Sequence, residues 1–245
     1  MASGLTPERV PGVEAIDWSA PWLADWRAVG QPLAQRIVAG MAQHEALNTH
    51  KAHLKPPVRF VAQTDLPASQ AYEAFIFENR CVPTREGLHD FFNALCWMHF
   101  PLTKLRLNAL QGQAIAQTGV GAVRGPLRDA ATVFDENAAL LQVPDVLWQA
   151  LAERRWHAAF VDMRAVWREA RWWTFGHAAL EKLVQPYKSI TVHVWRVPQH
   201  LADLPAIDAW LAQDLQADKL AAKPFCPMPV LGVPGWWPAN EAPSF

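Results

Sequence analysis

Between Val82 and Gln111 the chain reads VPTREGLHDFFNALCWMHFPLTKLRLNALQ, with more apolar residues than one helix face can hold. Leu88, Phe91, Phe92, Leu95, Cys96, Trp97, Met98 and Phe100 distribute around the whole helical wheel, the pattern of a helix buried on every side. Pro83 stops what precedes it, the Thr84 hydroxyl is the expected N-cap, and Pro101 ends the helix near His99. The polar members His89, Asp90 and Asn93 must then lie at the less buried first turns or find specific partners, because an unpaired buried polar group costs on the order of 1–3 kcal/mol. His89 and Asn93 are four apart and share a face. A second helix over 102–117 follows at once and sets Lys104, Asn108 and Gln111 at helical spacing.

Around this centre the pattern alternates between helical and strand periods. Pro7, Pro11 and Gly12 predict an extended arm over residues 1–20. Trp22, Trp26, Val29, Leu33, Ile37, Val38 and Met41 have helical spacing, which Gly30 and Pro32 divide into two short helices. His50 and His53 are three apart, but the neighbouring Lys51 and Lys55 repel a cation and favour a solvated connection. Residues 58–63 alternate as a strand, and Pro67 fits the first turn of a helix over 68–77 with Tyr72, Phe75 and Ile76 turned inward.

Further on, Asp135-Glu136-Asn137 lies between two apolar runs and predicts a hairpin turn with strands near 131–134 and 138–142; a continuous helix is the competing reading. From Pro144 a long helical pattern sets Trp156, Phe160, Met163 and Trp167 on one stripe and Arg164, Arg168 and Arg171 on another face. A helix capped by Thr174, a strand over 190–195 and a helix marked by Ile207, Trp210, Leu211 and Leu215 follow. The six prolines of residues 223–245 exclude a helix and predict an extended tail anchored by Trp236 and Trp237. These elements make an α+β protein, mostly helical, with one domain over 21–222 between the arm and the tail.

Composition narrows the function classes. With 51% hydrophobic residues, 18% charged and a net charge of −1, the chain has the make-up of a globular protein without a membrane span. Balanced charge disfavours nucleic acid, which attracts proteins with an excess of Lys and Arg, and Asp162 and Glu169 dilute the basic face of the Trp156 helix. The beginning of the chain lacks the basic and apolar regions of an export signal, so a cytoplasmic location is expected, and the preference for Ala and for Arg over Lys points to a bacterial source. Cys81, Cys96 and Cys226 form no C-x-x-C pair and read as small buried hydrophobes. Most of the 13 Trp are expected in cores or interfaces.

Four segments in order, VPTREGLHDFFNALCWMHFPLTKLRLN, RDAATVFDEN, FGHAALEKL and PVLGVPGWWPAN, are similar to the bacterial family called domain of unknown function 3025, from about Trp22 to the end. The resemblance implies no particular activity. Its segments carry His89, Asp90, Arg128, Asp129, Asp135, Glu136, His177 and Glu181. His177 and Glu181 are four apart on one helix face, a spacing at which an imidazole and a carboxylate meet each other or a shared metal.

If these groups converge, His89, His177 and Glu181 are the expected ligands of a divalent metal such as zinc, with Asp135 or Glu136 as catalytic base and Asp90, Asn93, Arg128 and Asp129 as binding residues. The chemistry would be metal-assisted hydrolysis of an ester, amide or phosphate in a small molecule. The alternative is a non-catalytic binding or scaffold protein with an unknown protein partner, in which His89, Asp90 and Asn93 tie neighbouring backbone and Arg128 pairs with a carboxylate.

Overall fold

The structure is a computed structural model describing residues 12–50, 57–118 and 125–241. In chain order it contains α1 (Ala24–Val38), α2 (Gln43–Asn48), β1 (Arg59–Ala62), α3 (Tyr72–Asn79), β2 (Cys81–Thr84), α4 (Leu88–His99), α5 (Pro101–Thr118) and α6 (Pro126–Asn137). There follow β3 (Ala138–Gln142), α7 (Asp145–Ala152), β4 (Arg171–Thr174), α8 (His177–Lys182), β5 (Thr191–Arg196), α9 (Leu204–Asp214), α10 (Ala217–Ala221) and β6 (Cys226–Pro229). The class is α+β, mostly helical, with two small sheets among the described residues.

The larger sheet has the order β4-β3-β5-β6, antiparallel at both edges and parallel between β3 and β5. Every residue of β3 is buried, and the period of two along it separates two apolar cores. Ala138 and Leu140 belong with Phe91, Phe134, Phe175 and Trp195, whereas Ala139 and Leu141 belong with Leu147, Leu151, Phe160 and Met228. A one-residue slip would exchange these faces, so the register is set by burial on both sides. Parallel strands β1 and β2, connected through α3, form the smaller sheet, and β2 leads directly towards α4.

Packing overrides several local signals. Helix α1 runs through Pro32 unbroken: Gly30 lies so close to Trp18 and Leu95 that a Cβ there would meet Trp18 Cη2 at 2.3 Å, and this tertiary contact holds the helix together. Thr84 ends β2 instead of capping α4, its hydroxyl donating to the Val82 carbonyl at 2.9 Å. The turn before α4 is held by Asp90, which accepts from the Arg85 amide at 2.7 Å, and by Gln43, whose side chain bonds Arg85 and Gly87 backbone. Pro67 falls in a turn, and α3 begins only at Tyr72.

The expected hairpin at Asp135-Glu136-Asn137 is replaced by the last turn of α6. Ala130, Ala131 and Phe134 form a buried helical stripe, and Pro126 supplies a pre-set φ at the first turn. Residues 138–142 do form a strand, but its partners are the distant β4 and β5. The long helix expected after Pro144 is broken as well. Arg154 adopts φ 56°, after which residues 158–162 are π-helical, 164–169 are 3₁₀-helical and 171–174 are β4. The aromatic stripe survives because Trp156 stacks on Phe160 and Phe160 on Trp167, with centroids 5.9 and 5.7 Å apart.

Helix α8 starts from Gly176, not from a Thr174 cap; Thr174 ends β4 and accepts from Trp172 Nε1 at 2.9 Å. Gly176 crosses the end of α6 so closely that a Cβ there would meet the Glu136 carbonyl oxygen at 2.4 Å and the Asn137 nitrogen at 2.5 Å. Both are backbone atoms, so relief requires moving α8. Gly176→Ala is expected to cost about 1–3 kcal/mol as an overpacking substitution. An unchanged midpoint in urea denaturation would contradict this close approach.

In the tail, β6 pairs with β5, and Trp236 packs on Trp22 and Trp172 at centroid distances of 5.9 and 5.5 Å. The expected arm is described only from Gly12 onward, where Val13, Ile16 and Ala20 are buried. No helix among the described residues is long and apolar enough to cross a membrane.

Candidate functional site

Helices α4, α5, α6 and α8 converge, with α3 at the rim, around a cleft of about 500 Å³. His89 projects from α4 into its wall with 39% of its side chain exposed. Its Nδ1 lies 2.9 Å from Glu181 Oε2 on α8, and its Nε2 lies 3.1 Å from Nε2 of the buried His177. The two rings stand nearly perpendicular, at 83°. Behind them, His177 Nδ1 is 3.8 Å from Asp135 Oδ2, too far for a hydrogen bond, and this nitrogen has no hydrogen-bond partner among the described residues.

Lys104 continues the network from α5. It is 4% exposed, and its ammonium donates to Asp135 Oδ1 at 2.5 Å and Asn93 Oδ1 at 2.8 Å. Asn93 in turn donates to the Tyr72 hydroxyl at 3.1 Å. The polar side chains thus form a chain through the apolar core, from Glu181 through His89, His177, Asp135, Lys104 and Asn93 to Tyr72.

The environment drives the two histidines apart. The hydrogen bond to Glu181 raises the pKa of His89 above its usual 6.5, outweighing partial burial. Burial pushes His177 down to about 4, against the pull of the Asp135 charge. Burial also pulls Asp135 upward, but Lys104 and His177 more than offset it and leave the carboxyl below its ordinary range. With His177 neutral, one of the two Nε2 atoms donates across the 3.1 Å contact and the other accepts. Tyr72, partly buried at the edge of the core, is pushed well above the usual phenol value by loss of hydration and stays protonated.

Asp90 lines the cleft but is committed to Arg85, which it meets at 3.0 and 2.8 Å besides the backbone bond. Arg128, Asp135 and Glu136 line it from α6. Among the described residues Arg128 has no ion-pair partner, and its Nε is buried without a hydrogen bond. Asp129 lies away from the cleft, paired with Lys223. The structure therefore gathers His89, Asp90, Asn93, Arg128, Asp135, Glu136 and His177 at the cleft, joins Glu181 to them through His89, and leaves Asp129 out.

Lys104 and Tyr72 are the members that spacing alone did not assign to the site. The signal for Lys104 was the stripe Lys104, Asn108 and Gln111, three polar residues that are all buried. Two ligands of one tetrahedral zinc ion stand about 3.3 Å apart; His89 Nε2 and His177 Nε2 are 3.1 Å apart, while Glu181 meets the opposite nitrogen of His89. No group of three or more His, Cys, Asp or Glu among the described residues is placed to hold a metal ion.

Elsewhere, Cys96 is buried with its thiol 2.9 Å from the Phe175 carbonyl, and burial pushes its pKa up, away from thiolate chemistry. Of the arginines beyond Pro144, Arg164 is held by Asn240 and Glu241, and Arg171 by the Ala202 carbonyl and the face of Trp173. His50 lines a second hollow beside α1, and Lys51, His53 and Lys55 lie outside the described residues.

Fold and cleft define an α+β protein with a small-molecule-sized polar site buried among its helices. Over residues 58–245 the chain matches the family described as Protein of unknown function (DUF3025), and it belongs to that family. The match takes in all four segments that carry the resemblance and begins at Val58 rather than near Trp22. No curated protein and no solved structure matches the chain.

Proposed function

We propose that the cleft is the active site of an enzyme performing general acid–base chemistry on a small polar molecule, with His89 as the group that meets substrate. The supporting observation is a pair of imidazoles 3.1 Å apart whose proton affinities are displaced in opposite directions. Such divergence assigns an acid and a base within one site. Half-exposed His89, held by Glu181 at Nδ1, exchanges a proton with substrate at Nε2 in place of its contact with His177. Asp135, kept ionised by Lys104, positions His177.

Histidine NMR titration tests the pair: His89 and His177 should titrate on opposite sides of 6.5, and Glu181→Gln should lower the His89 value. Two coincident titrations near 6.5 would contradict the reading. Once turnover is found in a panel of small esters, amides and phosphates, His89→Gln should reduce it by about 10²–10⁴-fold, the usual contribution of a general acid or base.

The spacing of the two Nε2 atoms also favours a second reading, in which they are ligands of a divalent ion such as zinc. Glu181 and the more distant Asp135 would then stand behind the ligating rings, and the ion would supply Lewis-acid chemistry for hydrolysis. Elemental analysis of protein purified without a histidine tag separates the readings. Stoichiometric zinc, manganese or iron, lost in His177→Ala, supports the metal; none, with folding unchanged by chelators, removes it.

A further inference from the structure

Arg128, Thr132 and Glu136 border the cleft from one face of α6, each four residues from the next. At 1.5 Å per residue, the two charged positions stand about 12 Å apart along the helix. Other charges of the site already have partners: Asp90 has Arg85, Asp135 has Lys104, His89 has Glu181, and Glu73 accepts from Asn108. Among the described residues, Arg128 and Glu136 have no ion-pair partner, and Arg128 Nε is buried without a hydrogen bond.

Their placement also runs against the helix. A guanidinium near the N-terminus of α6 and a carboxylate in its last turn each face the like end of the macrodipole, an arrangement local helix physics disfavours. A ligand anion beside Arg128 and a ligand cation beside Glu136 would relieve both. Such local conflicts are expected where a site needs the residues for another purpose.

We propose that the cleft binds a small zwitterion, of amino-acid or short-peptide type, with its anionic end on Arg128, its cationic end on Glu136 and its middle beside the His89–His177 pair. This rests on the cleft being the active site proposed above and names its substrate class. Isothermal titration with 6-aminohexanoate, hexanoate and 1-aminohexane tests it. The zwitterion should bind at least about tenfold tighter than either singly charged probe, since charge-assisted bonds at both ends outweigh one.

Arg128→Glu and Glu136→Lys should each abolish that preference, and the double variant should restore it with the ligand reversed. Should either charge reversal fail to fold, Arg128→Gln and Glu136→Gln take its place, each expected to equalise the zwitterion with one control. No binding of 6-aminohexanoate, or equal binding of all three probes to the wild type, overturns the proposal. His177→Gln should keep zwitterion binding while removing turnover, so failure of the acid–base reading and failure of the zwitterion reading appear in different measurements.

Discussion

Lys104→Met is expected to lower folding stability by about 3–5 kcal/mol, the cost of breaking a buried ion pair from one side. Lys104 is 4% exposed and Asp135 9%, so water cannot replace the lost ammonium around the remaining carboxylate. The Asn93 carbonyl oxygen loses its donor as well. Asp135 would then be governed by the burial that already pulls its pKa upward, with the ammonium that opposes it removed.

The double variant Lys104→Met, Asp135→Asn should recover much of the loss, because a neutral amide avoids the isolated charge. Urea denaturation of wild type, single and double variants measures both steps. A single variant costing less than about 1 kcal/mol would mean that the pair behaves as a solvated surface contact.

How much of this was legible in sequence depends on whether a local pattern or a distant partner decides the element. The all-round apolar wheel of α4, its end before Pro101 and the strands β1 and β5 are local, and the structure keeps them, although Phe60 and Val61, adjacent in β1, are both buried. So is the same-face spacing of His177 and Glu181, which marked α8 as the partner for the His89 face; the two helices do meet through those side chains.

Residues 126–142 show the limit. Short apolar runs on either side of Asp135-Glu136-Asn137 suit two strands or a helix and a strand, and the choice is made by β4 and β5, which pair with 138–142 from distant parts of the chain. The aromatic stripe from Trp156 to Trp167 packs as its spacing predicts but is not one helix, because stacked rings tolerate the π and 3₁₀ turns that carry them. Lys104 was hidden for a different reason. A lone lysine on a helix is ordinarily solvated, and only Asn93 and Asp135, supplied by two other helices, allow it to be buried.

Between pH 6.5 and about 4 the protein should lose stability through His177. Its pKa is depressed in the folded state, so across this window the unfolded chain binds the extra proton and stability falls as pH falls. A displacement from 6.5 to about 4 corresponds to about 3 kcal/mol at roughly 1.4 kcal/mol per unit. His89 has the opposite sign. Its raised pKa means that its contribution is complete below 6.5 and is lost as pH rises through the folded value.

The neighbouring rings therefore oppose one another on the two sides of neutrality. Half-buried His99, His50 and His193 are also shifted downward by loss of hydration, so the wild-type acid limb is a sum, and the difference from His177→Asn isolates the His177 share. Urea midpoints measured from pH 4 to 8 should show a shallower acid limb in His177→Asn and a shallower alkaline limb in Glu181→Gln. An acid limb of undiminished slope in His177→Asn would mean that this imidazole is hydrated, and with it would go the depressed proton affinity that the acid–base reading needs. Stability and chemistry thus depend on one property of the same ring, its reluctance to take a second proton although His89 lies 3.1 Å away.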